Sequence, residues 1–176
     1  MLLAPTTLCL DQIPPGFIDK TSSCFDAILY PNLPKSYDIT SPCTNAQRRP
    51  SHLPDLIPFI QLITEKCKVK PVHLIMALIY VQRFRSSLPS GYQAEPEAAH
   101  RIFVASLLVA SKFSEDHCLS TKQVVLATGD VWSIKEITRM ELALLRFLQW
   151  NLNIQPDEML HFLDTLGIDS HTIFAN

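Results

Sequence analysis

The sequence predicts an all-α fold, and three observations carry that prediction. From Leu53 onward apolar residues recur at helical spacing in segment after segment, and no stretch keeps the two-residue alternation of a half-buried strand. Helix punctuation is present: Ser133 and Glu136 form an S-x-x-E capping box, and Gly129 and Gly167 stand where helices end. Nine of the thirteen prolines lie at or before Pro58, so the strongest helix breakers precede the periodic region.

Residues 1–52 therefore read as an irregular, Pro-rich N-terminal arm. Its turns fall at Pro14-Pro15-Gly16, Asn32-Leu-Pro34 and Ser41-Pro42. The apolar groups Phe17-Ile18 and Phe25 to Tyr30 could dock on a core or extend a partner interface. Residues 53–155 carry five helices. The first opens at Leu56, with Pro58 tolerable in its first turn, and reaches Ile63 before a polar cluster, Thr64 to Lys68. The second spans Val72 to Phe84 and is apolar nearly all round, until Ser86 to Gly91 breaks it. The third, about Glu97 to Phe113, sets Ala105, Ser106 and Ala110 among large apolar residues. Small side chains permit close approach, so this helix is placed at the centre. A short fourth helix runs from Ser120 to Thr128, and the fifth from Ser133 as far as Leu152. Residues 156–176 add a short C-terminal helix opened by Pro156.

Composition narrows the function. The chain of 176 residues suits one domain with a flank, and 47% apolar content supplies a sizeable core. A net charge of -2 with scattered Lys and Arg argues against nucleic acid or an anionic membrane as partner. Uncharged runs such as Ile102 to Ser111 fall short of the roughly 18 residues of a membrane span. The start, Met1 to Leu10, has no basic region and is interrupted by Pro5, so neither a signal peptide nor an anchor is expected. Five cysteines without C-x-x-C spacing fit a reducing, intracellular setting, and His117-Cys118 lacks metal-ligand spacing. There is no G-x-S-x-G, no H-E-x-x-H and no glycine-rich phosphate loop, so no enzyme, cofactor or metal is expected.

One residue breaks the pattern of its helix. At about 100° per residue, Lys135, Arg139 and Arg146 share a solvent stripe, whereas Glu141 falls among Ile134, Ile137, Leu145, Leu148 and Leu152. Its neighbours three and four positions away are Ile137, Thr138, Leu144 and Leu145, so no cation of its own helix can answer it. A buried, unpartnered carboxylate costs several kcal/mol. A partner must come from elsewhere, and Lys112 is one choice. Lys112 could instead pair with Glu115 and Asp116 one turn on.

Three stretches together resemble the cyclin box. Ala110-Ser-Lys112-Phe113-Ser-Glu115-Asp116 is similar to the lysine motif ending the third cyclin-box helix. Arg139-Met-Glu141, continuing to Leu152, is similar to the fifth-helix motif with its glutamate, and Tyr80-Val-Gln-Arg83-Phe84 to the end of the second. The resemblance covers about residues 53–155 and runs within the family to the fungal PCL type, which partners the kinase of the phosphate-sensing pathway. It implies a single five-helix cyclin box and a non-enzymatic regulatory subunit, acting in nucleus or cytoplasm. That subunit binds a cyclin-dependent protein kinase, holds the kinase C-helix in its active position and meets protein substrates via the complex. The matching kinase contacts are Lys112 and Glu141, with an apolar pocket of Val109, Phe113, Leu145 and Leu152.

Gln82 stands where many cyclins have Asp, the first helix has no Arg, and the Met-Arg-x-x-Leu docking motif is missing. These departures argue against animal cell-cycle cyclins and are compatible with the PCL type. The alternative is a cyclin-fold adaptor or transcription-factor-like module that binds a non-kinase protein, because fold does not fix function. Trp150 is expected in the core, and Arg83 as a solvated or capping residue. His73, His100, His161 and His171 show no partner pattern.

Overall fold

The computed structural model describes residues 13–30, 53–89 and 97–174. The described residues form helices α1 (Phe17–Leu29), α2 (Leu56–Lys66), α3 (Pro71–Ser87), α4 (Ala98–Ser114), α5 (Thr121–Ala127), α6 (Ile134–Phe147) and α7 (Pro156–Thr165), with a 3-10 turn at Ser170–Thr172. The all-α prediction holds, and no extended strand occurs among the described residues. No described helix is long and apolar enough to cross a membrane. The turns expected at Asn32–Pro34 and Ser41-Pro42, and the stretch Met1 to Leu10, lie outside the described residues.

The centre is shared by two helices. α3 is buried from Pro71 through Val81, and α4 from Phe103 through Ser111. The helices pack on each other, with α4 also against α6 and α2. Ala105, Ser106 and Ala110 are all buried in α4, as their size predicts. Ser106 removes the polarity of its hydroxyl by donating to the Phe103 carbonyl at 2.8 Å.

The arm differs from its reading as irregular chain. α1 packs on α3 and α2, and Phe17, Phe25 and Leu29 belong to the core. The Phe25 ring meets Phe103 of α4 edge to face at 5.1 Å. Phe17, Phe25 and Leu29 are therefore consumed by the domain's own core, with Ile28 and Tyr30 partly buried against it. Each large side chain buried this way contributes roughly 1.5–3 kcal/mol. The far end of the chain is drawn in as well: Ile173 is fully buried, and Lys20 of α1 donates to the Gly167 carbonyl.

Four helices end in one geometry. After α2, α5, α6 and α7 the residue beyond the cap is left-handed (Lys68, Gly129, Gln149 and Gly167), and the next N–H reaches back to a carbonyl five residues earlier. This is the Schellman termination. It corrects the expected extent of the fifth predicted helix. α6 stops at Phe147, and Gln149 and Trp150 both adopt positive φ, 51° and 57°. Leu152 therefore lies in the linker to α7, off the Glu141 helix. Trp150, expected in the core, is 62% exposed because that reversal turns it outward.

Candidate functional site

Glu141 is 7% exposed, flanked on its helix by the buried Ile137, Leu144 and Leu148. Its partner comes from the last turn of α4. Lys112 Nζ donates to both carboxylate oxygens, at 2.9 and 3.0 Å, and to Thr121 Oγ1 at 3.1 Å. All three ammonium donors are thus directed, and one cation ties together α4, α5 and α6. The pair sits at the domain surface: the Lys112 side chain is 39% exposed and that of Glu141 9%. The alternative pairing of Lys112 with Glu115 and Asp116 does not form. Glu115 lies past the end of α4 with extended backbone and binds Lys70 at 2.7 Å.

Capping explains the placement of both flanking helices. Ser120 and Gln123 form a capping box opening α5, and Ser133 and Glu136 another opening α6. Ser111 Oγ accepts the Leu119 N–H at 2.8 Å, which fastens the α4–α5 linker and delivers Thr121 to Lys112.

Of the apolar residues read as a pocket, Phe113 is exposed beside Lys112 and Leu145 is half-buried on the Glu141 flank. Val109 is buried, one turn below Phe113. Leu152 is half-buried, and its carbonyl accepts from Tyr80 Oη at 2.7 Å. Ile134, expected on the buried face, is exposed. With Leu142 it lies on the same side of Glu141 as Leu145, away from the buried Ile137, Leu144 and Leu148, an open apolar flank that sequence reasoning missed. The available signal was the run Ile134, Thr138, Leu142 and Leu145, spaced three and four residues apart.

A second junction was read too lightly. Arg83 of α3 donates to the Asn151 carbonyl, the Asn153 carbonyl and both oxygens of Glu158, all between 2.8 and 2.9 Å. With Tyr80 it captures three successive carbonyls of the α6–α7 linker. Burial pushes the Tyr80 phenol up to about 12, with Arg83 pulling down and Glu158 pushing up. Two histidines also have partners. Ser114 Oγ donates to the Ala110 carbonyl at 2.7 Å, so it accepts from His73 Nε2–H at 2.9 Å. Burial holds His73 below the usual imidazole range, against the nearby Glu115 carboxylate and together with Lys70. His100 Nε2 bonds the Pro54 carbonyl at 2.7 Å.

The helical domain is the fold that the cyclin box resemblance implied, and the two residues it offered as kinase contacts, Lys112 and Glu141, pair with each other at the domain surface. The family defined as "Cyclin, N-terminal domain" matches residues 32–153, and the chain belongs to the cyclin family. It is similar to PHO85 cyclin-1 of Saccharomyces cerevisiae, 28% identical over 134 residues, which cover 76% of this chain and 48% of the relative. PHO85 cyclin-2 of the same yeast is 26% identical over 107 residues, covering 61% of this chain and 35% of the relative. G2/mitotic-specific cyclin-A of Hydra viridissima is 28% identical over 99 residues, covering 56% of this chain and 23% of the relative. The chain thus spans about half or less of the length of these relatives. The family consists of regulatory subunits and not enzymes.

Proposed function

We propose that this cyclin binds and allosterically activates a cyclin-dependent protein kinase of the PHO85 type, the kind that three relatives' names carry. The observation that carries this reading is the Lys112–Glu141 pair at the surface, with Phe113 and Leu142 exposed next to its two members. Lys112 holds the carboxylate in a fixed orientation, and each oxygen keeps lone pairs free to accept a hydrogen bond from the kinase beside its C-helix. Phe113 and Leu145 supply apolar contact, Val109 supports Phe113 from below, and Leu152 borders the site through the linker.

The cyclin contributes no catalytic group. It binds the active kinase conformation more tightly, holding the C-helix inward so that the kinase's own Lys–Glu pair and metal-binding Asp are assembled. Protein substrates then meet the complex, in a phosphate-responsive pathway inside the cell, in nucleus or cytoplasm. The free, half-buried thiols of Cys24, Cys67 and Cys118 support that compartment.

The test measures kinase affinity and kinase activity with the wild-type chain and with Glu141→Ala, using circular dichroism to confirm that both are folded. The folded variant is expected to lose about 2–5 kcal/mol of affinity, as for one half of a desolvated charged contact. A folded wild-type chain that binds no cyclin-dependent kinase overturns the reading and leaves a cyclin-fold adaptor.

A further inference from the structure

The face of α6 turned away from Glu141 carries a row of cations that the kinase reading leaves unused. At about 100° per residue, Lys135, Arg139 and Arg146 fall within about 40° of one another, roughly 140° round the helix from Glu141. All three are exposed, and none makes a hydrogen bond or ion pair among the described residues. The helix has only two acids against these three cations. Glu141 holds Lys112, and Glu136, whose field Arg139 feels, accepts the Ser133 N–H at 2.7 Å.

The stripe is of one sign along the face, whereas a salt-bridge-laced solvent face alternates. This stripe runs against helix stability twice. Lys135 and Arg139 are like charges four residues apart, which repel. Lys135 also stands in the first turn, where the helix dipole favours an anion. Both are relieved if something anionic covers the face.

The spacing selects the kind of anion. From Lys135 to Arg146 is about 16 Å along the axis, the length of about five residues of extended chain. One phosphate group needs cations converging on a point, whereas a row suits carboxylates strung along a strand. Leu142 is 41% exposed beside Arg139 and Arg146 on the same side of the helix, an apolar seat within the row.

We propose that this face of α6 docks an extended Asp/Glu-rich segment of a partner protein, with an apolar residue between its acids set on Leu142. The inference does not rest on the kinase reading: the three cations lie roughly 140° round α6 from Glu141, Leu142 stands between the two surfaces, and docking is measured without kinase.

The test uses the full chain and a fluorescein-labelled nonapeptide of Asp and Glu with a central Leu, read by fluorescence anisotropy at low salt. Saturable binding is expected, weakening as salt screens the charges. Lys135→Glu is expected to weaken binding by about fivefold or more while raising the melting temperature, since it removes both unfavourable terms. Lys122→Glu, on the exposed side of α5, is expected to change affinity less than about twofold. Absence of saturable binding overturns the proposal, as does unchanged affinity in Lys135→Glu. Tighter binding of a neutral peptide carrying one phosphoserine, or displacement by single-stranded oligo-dT of equal charge, overturns it in favour of those ligands.

Discussion

At the α3–α7 junction the cation is the more buried member of its pair: the Arg83 side chain is 24% exposed and that of Glu158 40%. At the α4–α6 junction the order is reversed, with Glu141 at 9% and Lys112 at 39%. Arg83 directs its guanidinium to backbone carbonyls of its own chain as well as to Glu158, with its Cζ 5.9 Å from the Tyr80 ring centre. Lys112 meets only side chains, at a rim where Phe113 and Leu142 are exposed. The first junction satisfies itself and fastens a linker. The second keeps a charged pair and apolar surface open to a partner. Deletion is costly when it leaves several acceptors without their donor or strands a buried charge, so Arg83 matters through the number of its acceptors and Lys112 through the burial of Glu141.

The largest expected effect is at Arg83. Arg83→Met leaves the Asn151 and Asn153 carbonyls and the Glu158 carboxylate without their donor and should destabilise the fold by about 2–4 kcal/mol in urea unfolding. A loss below about 1 kcal/mol would mean that water replaces the guanidinium, and the self-contained character of this junction would be lost. Next is Lys112→Met, which strands Glu141 and is expected to lose about 1–3 kcal/mol, moderated by solvent at the rim. Adding Glu141→Leu should return stability to within about 1 kcal/mol of wild type, while the kinase binding proposed above is expected to be lost. If the double variant instead loses as much as Lys112→Met alone, the pair serves folding before it serves a partner.

The comparison also shows why one junction was legible in the sequence and the other was not. Glu141 announced itself as a charge on an apolar stripe, and the periodicity of a single helix sufficed to demand a partner. Arg83 gave no such signal, because its acceptors are backbone carbonyls almost seventy residues away, and any residue type offers those. The helix class and the order of α2 to α7 followed from spacing and from the Ser133–Glu136 capping box, whereas the Ser120–Gln123 box came from the structure. α1 escaped because the flanking prolines and Gly16 outweighed a helical pattern, Phe17, Thr21, Phe25 and Leu29, that becomes persuasive only once a core receives it. The overshoot to Leu152 has a similar cause. Gly129 and Gly167 mark the ends of α5 and α7, but the equivalent left-handed residue after α6 is Gln149, held there by the Schellman bonds of its own turn.

A smaller effect tests the linker from its other anchor. Tyr80→Phe removes the hydrogen bond to the Leu152 carbonyl and is expected to lose about 1 kcal/mol at neutral pH. It should also change the response to alkali. In the fold the phenol stays neutral until about 12, whereas in the unfolded chain it ionises near about 10. Its contribution is therefore fully present below about pH 10 and is lost as pH rises through about 12, because the unfolded state releases its proton first. Melting curves between pH 9 and 11 should show wild type losing stability faster than Tyr80→Phe, and parallel curves would remove Tyr80 from the linker's anchorage.

Glu158→Gln should have the least effect of the set, and it is the direct mirror of Lys112→Met. Each removes the more exposed charge of a bidentate pair, but what stays behind differs. After Lys112→Met a buried carboxylate loses the only cation paired with it among the described residues. After Glu158→Gln, Arg83 still has two carbonyls and the Tyr80 ring, and the Gln oxygen still accepts one hydrogen bond. The remaining loss is that of a half-exposed ion pair, about 0.2–1 kcal/mol, and it should shrink further in salt. Equal losses for the two substitutions, in the same buffer and by the same unfolding probe, would show that burial of the surviving partner does not govern these junctions. A clear difference would assign Arg83 to holding the domain together and leave the Lys112–Glu141 rim as the one of the two junctions whose chemistry is available to a partner.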